Sequence, residues 1–228
     1  MKLSEIFETI QGEGIYTGTI TTFIRFAGCT LHCPQCDTKY SWSDADKEDV
    51  GVPYIIEQVQ KISPFVRHIC ITGGEPLEQP QAEMFNLLQT LFTYHGVAGL
   101  DSIVIETNGS RDITWLFNKP FRRITSLSVD FKLPSTGKSD KMLTDDFKFL
   151  EPRDLIKFVC AGEEDFCYAL KVLDTLKKFE KCHPVILFHA LGGGINNWLP
   201  KLILANRNYI QHFDIRTNVQ LHKLFEVR

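Results

Sequence analysis

Three cysteines within eight residues, Cys29, Cys33 and Cys36, stand in the spacing Cys-x3-Cys-x2-Cys. The loop runs on into Asp37 and Thr38, and it follows the apolar, β-branched run Thr21 to Ala27 and then Gly28. Such a run reads as a strand that delivers a thiol-rich loop. Three thiolates on one short loop can hold three irons of a cubane iron–sulfur cluster and leave the fourth iron open. A metal with a vacant position is a place for chemistry. Two other readings compete. A structural zinc site would need a fourth ligand; His32 lies in the loop, but a second ligand pair at conventional spacing is missing. The third reading is three unrelated, buried cysteines.

The remaining chemistry-bearing residues fall after strand-like runs. Leu3 to Ile10 ends in Gln11-Gly12-Glu13-Gly14, two glycines around a carboxylate, which suits a turn or a close backbone approach. Further strand-like runs cover 68–72, 102–106, 124–129, 155–159 and 184–188. Gly73-Gly74-Glu75-Pro76 follows the first of these, Thr107-Asn108-Gly109 the second and Asp130-Phe131-Lys132 the third. Helical spacing of apolar residues appears over 54–62, 81–94, 163–179 and 197–205. Short apolar strands alternating with helices predict βαβ units and a parallel sheet. Polar residues and glycines at the carboxyl ends of the strands predict an active-site rim there, as in βα barrels. The expected class is therefore α/β, an incomplete TIM-like barrel of parallel strands.

Length and composition set bounds. The 228 residues fit a single domain. A net charge of −3 gives no electrostatic footprint for nucleic acid or an anionic membrane. No apolar run approaches the ~20 residues that span a bilayer, and the N-terminus lacks a signal-peptide core, so a cytoplasmic location is expected. Seven cysteines, an odd number, argue against a disulfide framework. Cys70 and Cys160 lie in apolar strand-like runs and read as small buried hydrophobes. His189, beside Gly192 to Gly194, either lines the rim or packs inside.

The cysteine loop after a strand, with Gly-Gly-Glu-Pro after the next core strand, resembles the radical S-adenosylmethionine (SAM) superfamily. The stretches Phe7 to Gly14, Phe23 to Cys29, Cys36 to Trp42, Ile71 to Leu77, Glu106 to Gly109, Asp130 to Lys132 and Gln220 to Lys223 are similar to the 7-carboxy-7-deazaguanine synthase family. The resemblance implies a 4Fe–4S cluster whose open iron chelates SAM, and a 5′-deoxyadenosyl radical that abstracts hydrogen from substrate; the cofactor bears this chemistry and the protein positions it. It also implies conversion of 6-carboxy-5,6,7,8-tetrahydropterin to 7-carboxy-7-deazaguanine by ring contraction with release of ammonia, on the route to queuosine and other deazapurines. Mg²⁺, a reductant such as flavodoxin or ferredoxin, and a homodimer come with it. A glycyl-radical-enzyme activase of the same superfamily is the alternative, but it gives no reason for Gln11-Gly12-Glu13 or for Asp37-Thr38.

Carried over by position, the resemblance implies cluster ligation by Cys29, Cys33 and Cys36 and Mg²⁺ at Thr38. Ile10, Gln11, Gly12, Glu13, Arg25, Thr72 and the terminal Arg228 would meet the pterin. Arg25 would pair with its carboxylate, for which an arginine fork is suited; without the resemblance, an arginine in a strand reads as solvated or salt-bridged. Gln35, Cys36, Asp37, Gly74, Asp130, Phe131 and Lys132 would meet SAM. Gln35 stands where many superfamily members carry an aromatic residue, and Ser128 to Lys132 departs from the shorter Ser-Pro-Lys of some members.

Overall fold

The computed structural model describes residues 1–179, 183–195 and 197–227. Eight strands, β1 (Leu3–Ile10), β2 (Ile20–Phe26), β3 (His68–Gly73), β4 (Ser102–Thr107), β5 (Thr125–Phe131), β6 (Leu155–Cys160), β7 (Val185–Ala190) and β8 (Ile215–Thr217), follow one another in sequence order in one sheet. In chain order helix α1 (Val52–Ile62) lies between β2 and β3, α2 (Gln81–Ala98) between β3 and β4, α3 (Glu163–Leu176) between β6 and β7, α4 (Trp198–Ala205) and α5 (Arg207–Ile210) between β7 and β8, and α6 (Leu221–Leu224) after β8. β1 pairs antiparallel with β2, whereas β2–β3, β3–β4, β5–β6, β6–β7 and β7–β8 are parallel. The class is α/β, and the order is that of an incomplete parallel barrel with one antiparallel edge.

The chain divides into two compact units. The first comprises residues 1–10, 19–107 and 115–126. In it α1 starts with Pro53 in its first turn, where no intrahelical N–H is lost, and buries Val52, Ile55, Ile56 and Val59. On α2, Met84, Leu87, Leu88 and Leu91 are buried at the spacing that sequence periodicity predicts. At ~1.5–3 kcal/mol per buried large apolar side chain, those eight residues are a main reason the helices dock. The second unit comprises 11–18, 108–114 and the described residues from 127 onward. Its core is a chain of rings: Phe131 lies 6.0 Å from Phe147 and 5.6 Å from Phe158, Phe158 lies 5.5 Å from Phe188, and Phe188 lies 5.1 Å from Phe166.

Three sequence expectations change. Asp130 and Phe131 lie inside β5, with Lys132 the first residue beyond it; Gly73 and Thr107 likewise end their strands rather than follow them. α3 ends at Leu176, not Phe179. β8 is an extra strand. Among the described residues, no helix is long and apolar enough to cross a membrane.

Candidate active site

In the first unit the thiol loop is fastened at its base by backbone bonds. Gly28 N–H donates to Ser41 O (2.9 Å), Cys29 N–H to Trp42 O (3.2 Å) and Glu75 N–H to Gly28 O (2.7 Å). A turn in which Cys36 N–H donates to Cys33 O (3.0 Å) folds the third cysteine back on the second. Thr38 O accepts from the Ser41 N–H (2.9 Å) and hydroxyl (2.7 Å), and Thr38 Oγ1 lies 3.5 Å from Cys36 Sγ. Cys33 is buried, Cys29 and Cys36 are half-buried, and none of the three is in a disulfide. Among the described residues, no three His, Cys, Asp or Glu side chains converge into a closed metal site. The donor set fits the implied cluster nonetheless: three soft thiols on one anchored loop. Burial pushes the Cys29 thiol up, and the Glu78 and Glu75 carboxylates add to this against the amides of Leu31 and His32. A bound metal would be needed to hold that thiol as a thiolate.

Gly73 and Gly74 tie β3 to this base. A Cβ on Gly73 (φ +150°) would lie 2.1 Å from Phe26 O, and one on Gly74 would lie 2.2 Å from Gly28 O. The glycine pair is thus demanded by the neighbouring backbone, whatever else approaches it. Glu75 is fully buried; its Oε1 accepts from Leu77 N–H (3.0 Å) and Thr107 Oγ1 (2.8 Å), which caps the turn Pro76–Glu78. Gln35 is half-buried and Asp37 exposed.

A row of four polar residues crosses the first unit, the first three in strand register. Glu5 faces Arg25 across the β1–β2 ladder and Arg25 faces Thr72 across β2–β3. Arg25 Nε donates to Glu5 Oε1 (3.0 Å), and the Thr72 hydroxyl donates to Glu106 Oε2 (2.9 Å). The salt-bridge reading of Arg25 is therefore correct as local structure. Ile10 ends β1, partly exposed, paired with Ile20.

The second unit carries a separate charged cluster. Gln11 is buried, and its Oε1 accepts weakly from Glu13 N–H (3.4 Å). Glu13 Oε2 meets Lys157 Nζ at 3.0 Å, and its Oε1 accepts from Gln220 Nε2 at 2.6 Å. Lys157 also reaches Asp130 Oδ2 (3.3 Å), which is bound by Lys132 Nζ (3.0 Å). Asp130 and Lys157 are register partners on β5 and β6. His189 is buried, with Nδ1 3.0 Å from Asn218 Oδ1 and a buried Nε2 without a hydrogen-bond partner. His189 is thus packed inside, the second of its two readings. The segment 220–222 docks on Gln11-Gly12-Glu13: Leu221 N–H donates to Gly12 O (3.1 Å), and a Cβ on Gly12 would lie 1.9 Å from His222 Nδ1. Phe131 turns its side chain into the aromatic core. Arg228 lies outside the described residues.

Burial pushes the Glu13 carboxyl up, but Lys157, His189 and the bond from Gln220 outweigh it and hold its pKa at about 2 against an ordinary 4.5. Burial likewise opposes Lys132 and Lys157 at Asp130, and loses, leaving about 2 against 3.8. Both values are lowered, so the stabilisation is complete above the ordinary values and is lost as pH falls toward about 2. For Glu13 this amounts to at most about 3 kcal/mol at neutral pH. Urea midpoints are expected to drop between about pH 5 and 2.5, and Glu13→Gln should flatten that fall; equal slopes in both proteins would contradict the assignment. By contrast, burial pushes the Cys160 thiol up to about 12, as expected of an inert core cysteine. Cys70 is equally buried.

Sequence reading did not single out Glu5, Lys157, Gln220 or His222 as site residues. The last two lie in a motif it noted; the first two carry no local signal.

Comparison with known proteins gives this arrangement a family. The radical SAM superfamily matches residues 23–131. The 7-carboxy-7-deazaguanine synthase of Clostridium acetobutylicum is 33% identical, with 98% of this chain and 95% of that protein aligned. That of Leptospira interrogans is 30% identical over 96% of this chain and 92% of its own. The crystal structure of QueE from Escherichia coli superposes with a TM-score of 0.74, covering 96% of this chain and 93% of that one at 22% identity, which speaks for the fold alone. With Cys-x3-Cys-x2-Cys on an anchored loop, an α/β sheet in sequential strand order and near-full-length kinship, the chain belongs to the 7-carboxy-7-deazaguanine synthase family of radical SAM enzymes, which work with a 4Fe–4S cluster and SAM.

Proposed function

We propose that the protein converts 6-carboxy-5,6,7,8-tetrahydropterin to 7-carboxy-7-deazaguanine, as one radical SAM domain in a cytoplasmic homodimer fed by flavodoxin or ferredoxin. The observation that carries the substrate side is Arg25, a side chain only 12% exposed that spends Nε on Glu5 and keeps its two terminal nitrogens for a carboxylate. Cys29, Cys33 and Cys36 would hold the cluster, and Thr38 would hold Mg²⁺, which commonly shares its ligands with substrate and water. Gln35, Asp37, Gly74, Asp130 and Lys132 would serve SAM. When bound, cluster and SAM supply a radical that removes a hydrogen atom from the substrate.

The chain's own part is binding and orientation. Thr72, with its proton given to Glu106, presents oxygen lone pairs to substrate. Glu13 is ionised at neutral pH and accepts from N–H donors such as those on a pterin edge. Ile10, Gln11 and Gly12 add backbone and amide contacts.

Anaerobically reconstituted enzyme with SAM, Mg²⁺, reductant and carboxytetrahydropterin is expected to give the deazaguanine product and ammonia, read by mass spectrometry. Cys33→Ala is expected to abolish both iron incorporation and product. No turnover by protein carrying a full cluster and Mg²⁺ would overturn the proposal.

A further inference from the structure

Arginine on a strand loses up to about 2 kcal/mol of rotamer freedom when it is held in one pose, so an arginine that must meet a substrate edge-on gains from being fixed beforehand. Arg25 is fixed from three sides. Glu5, its register partner on β1, accepts from Nε at 3.0 Å. The Tyr40 hydroxyl donates to the same Glu5 oxygen at 2.8 Å, which locks the carboxylate in turn. The Phe7 and Tyr40 rings lie 5.7 and 6.0 Å from the guanidinium carbon, and Phe7 is itself stacked on Phe23 at 5.1 Å. Glu5 engages the inner nitrogen alone, and the terminal nitrogens of Arg25 have no hydrogen-bond partner among the described residues.

We propose that Glu5 is a positioning residue: it anchors Arg25 through Nε, with Tyr40 as its brace, so that the terminal guanidinium edge is presented to the carboxylate of the substrate. The inference rests on the reading of Arg25 given above. It also runs against simple charge arithmetic. A carboxylate beside Arg25 cancels part of the attraction for an anionic substrate, so a purely electrostatic account expects removal of Glu5 to tighten binding. Positioning expects the opposite.

Three variants of the reconstituted enzyme separate these outcomes. Glu5→Ala is expected to raise KM for carboxytetrahydropterin roughly 3- to 10-fold, the scale of freeing one ordered side chain, with little change in kcat. Glu5→Gln keeps an oxygen for Nε and should stay within about twofold of the parent. Inhibition by tetrahydropterin, which lacks the carboxylate, should not respond to either change. A lower KM in Glu5→Ala and Glu5→Gln would overturn positioning in favour of charge. Equal weakening of the carboxylated substrate and of tetrahydropterin would overturn it in favour of a general structural role, as would a KM in Glu5→Ala equal to the parent's. Arg25→Lys keeps the inference apart from its premise. If it leaves KM unchanged, the reading of Arg25 fails; if it raises KM while Glu5→Ala does not, only the role of Glu5 fails.

Discussion

Gly73→Ala is expected to unfold the base of the thiol loop and to be the most damaging single-methyl change in the first unit. The new Cβ would sit 2.1 Å from Phe26 O, 2.7 Å from Phe26 N and 2.8 Å from Phe26 C, at a φ of +150°. All three atoms are backbone of the paired strand β2, so no side chain can swing aside. Overpacking that side chains can absorb costs ~1–3 kcal/mol; here β2 and β3 must part, and the loss should be ~3 kcal/mol or more, lowering Tm by roughly 6–12 °C in a chain of this size. The register between the strands carries Gly74 N–H to Phe26 O (3.0 Å) and Glu75 N–H to Gly28 O (2.7 Å), so iron retained after reconstitution should fall with Tm. Gly99→Ala is the control. That glycine caps α2 at φ +73° with nothing within 4 Å of a new Cβ, so only left-handed strain of ~1–2 kcal/mol is paid, with iron content unchanged. Equal Tm losses in the two variants would refute the steric account.

Much of this was legible in the chain because it depends on local pattern. The segment that became β1 was marked off by a weak alternation over Leu3 to Ile10, and the thiol loop announced itself by three cysteines that no ordinary loop needs. What escaped depends on register. Glu5 meets Arg25 only because a connection over 11–19 closes β1 onto β2 with a shift between Leu3 and Glu5. Glu13 and Gln220 are 207 residues apart in sequence. Asp130 and Lys157 each look solvated when their strands are read singly, and β5 seemed to stop short because a carboxylate rarely continues a buried strand; the cross-strand lysine is what permits it. β8 escaped because three residues, two of them exposed, make no periodicity.

Lys157→Met should cost the second unit about 3–5 kcal/mol at neutral pH, the usual penalty for stripping one partner from a buried ionic group. Lys157 is 14% exposed and stands between Glu13 (16%) and Asp130 (22%). Asp130 retains Lys132, and Glu13 retains Gln220, which places the loss toward the lower end of that range. The sign with pH is opposite to that of the parent. Both carboxyls are held low by Lys157, so the methionine variant lets their pKa values rise, and its deficit should shrink as acid protonates them below about pH 4.5. The urea midpoint difference between parent and variant is therefore expected to be widest near pH 7 and to narrow toward pH 3. Adding Glu13→Gln to Lys157→Met should recover part of the loss, because an amide tolerates the missing ammonium where a carboxylate does not. A deficit that stays constant with pH, or a double variant no better than the single, would mean that Lys157 acts by filling space. The stronger outcome bears on function as well as stability: one ammonium then holds both the carboxylate proposed for the pterin and the one proposed for SAM, so the same substitution should weaken both ligands while leaving the thiol loop and its iron untouched.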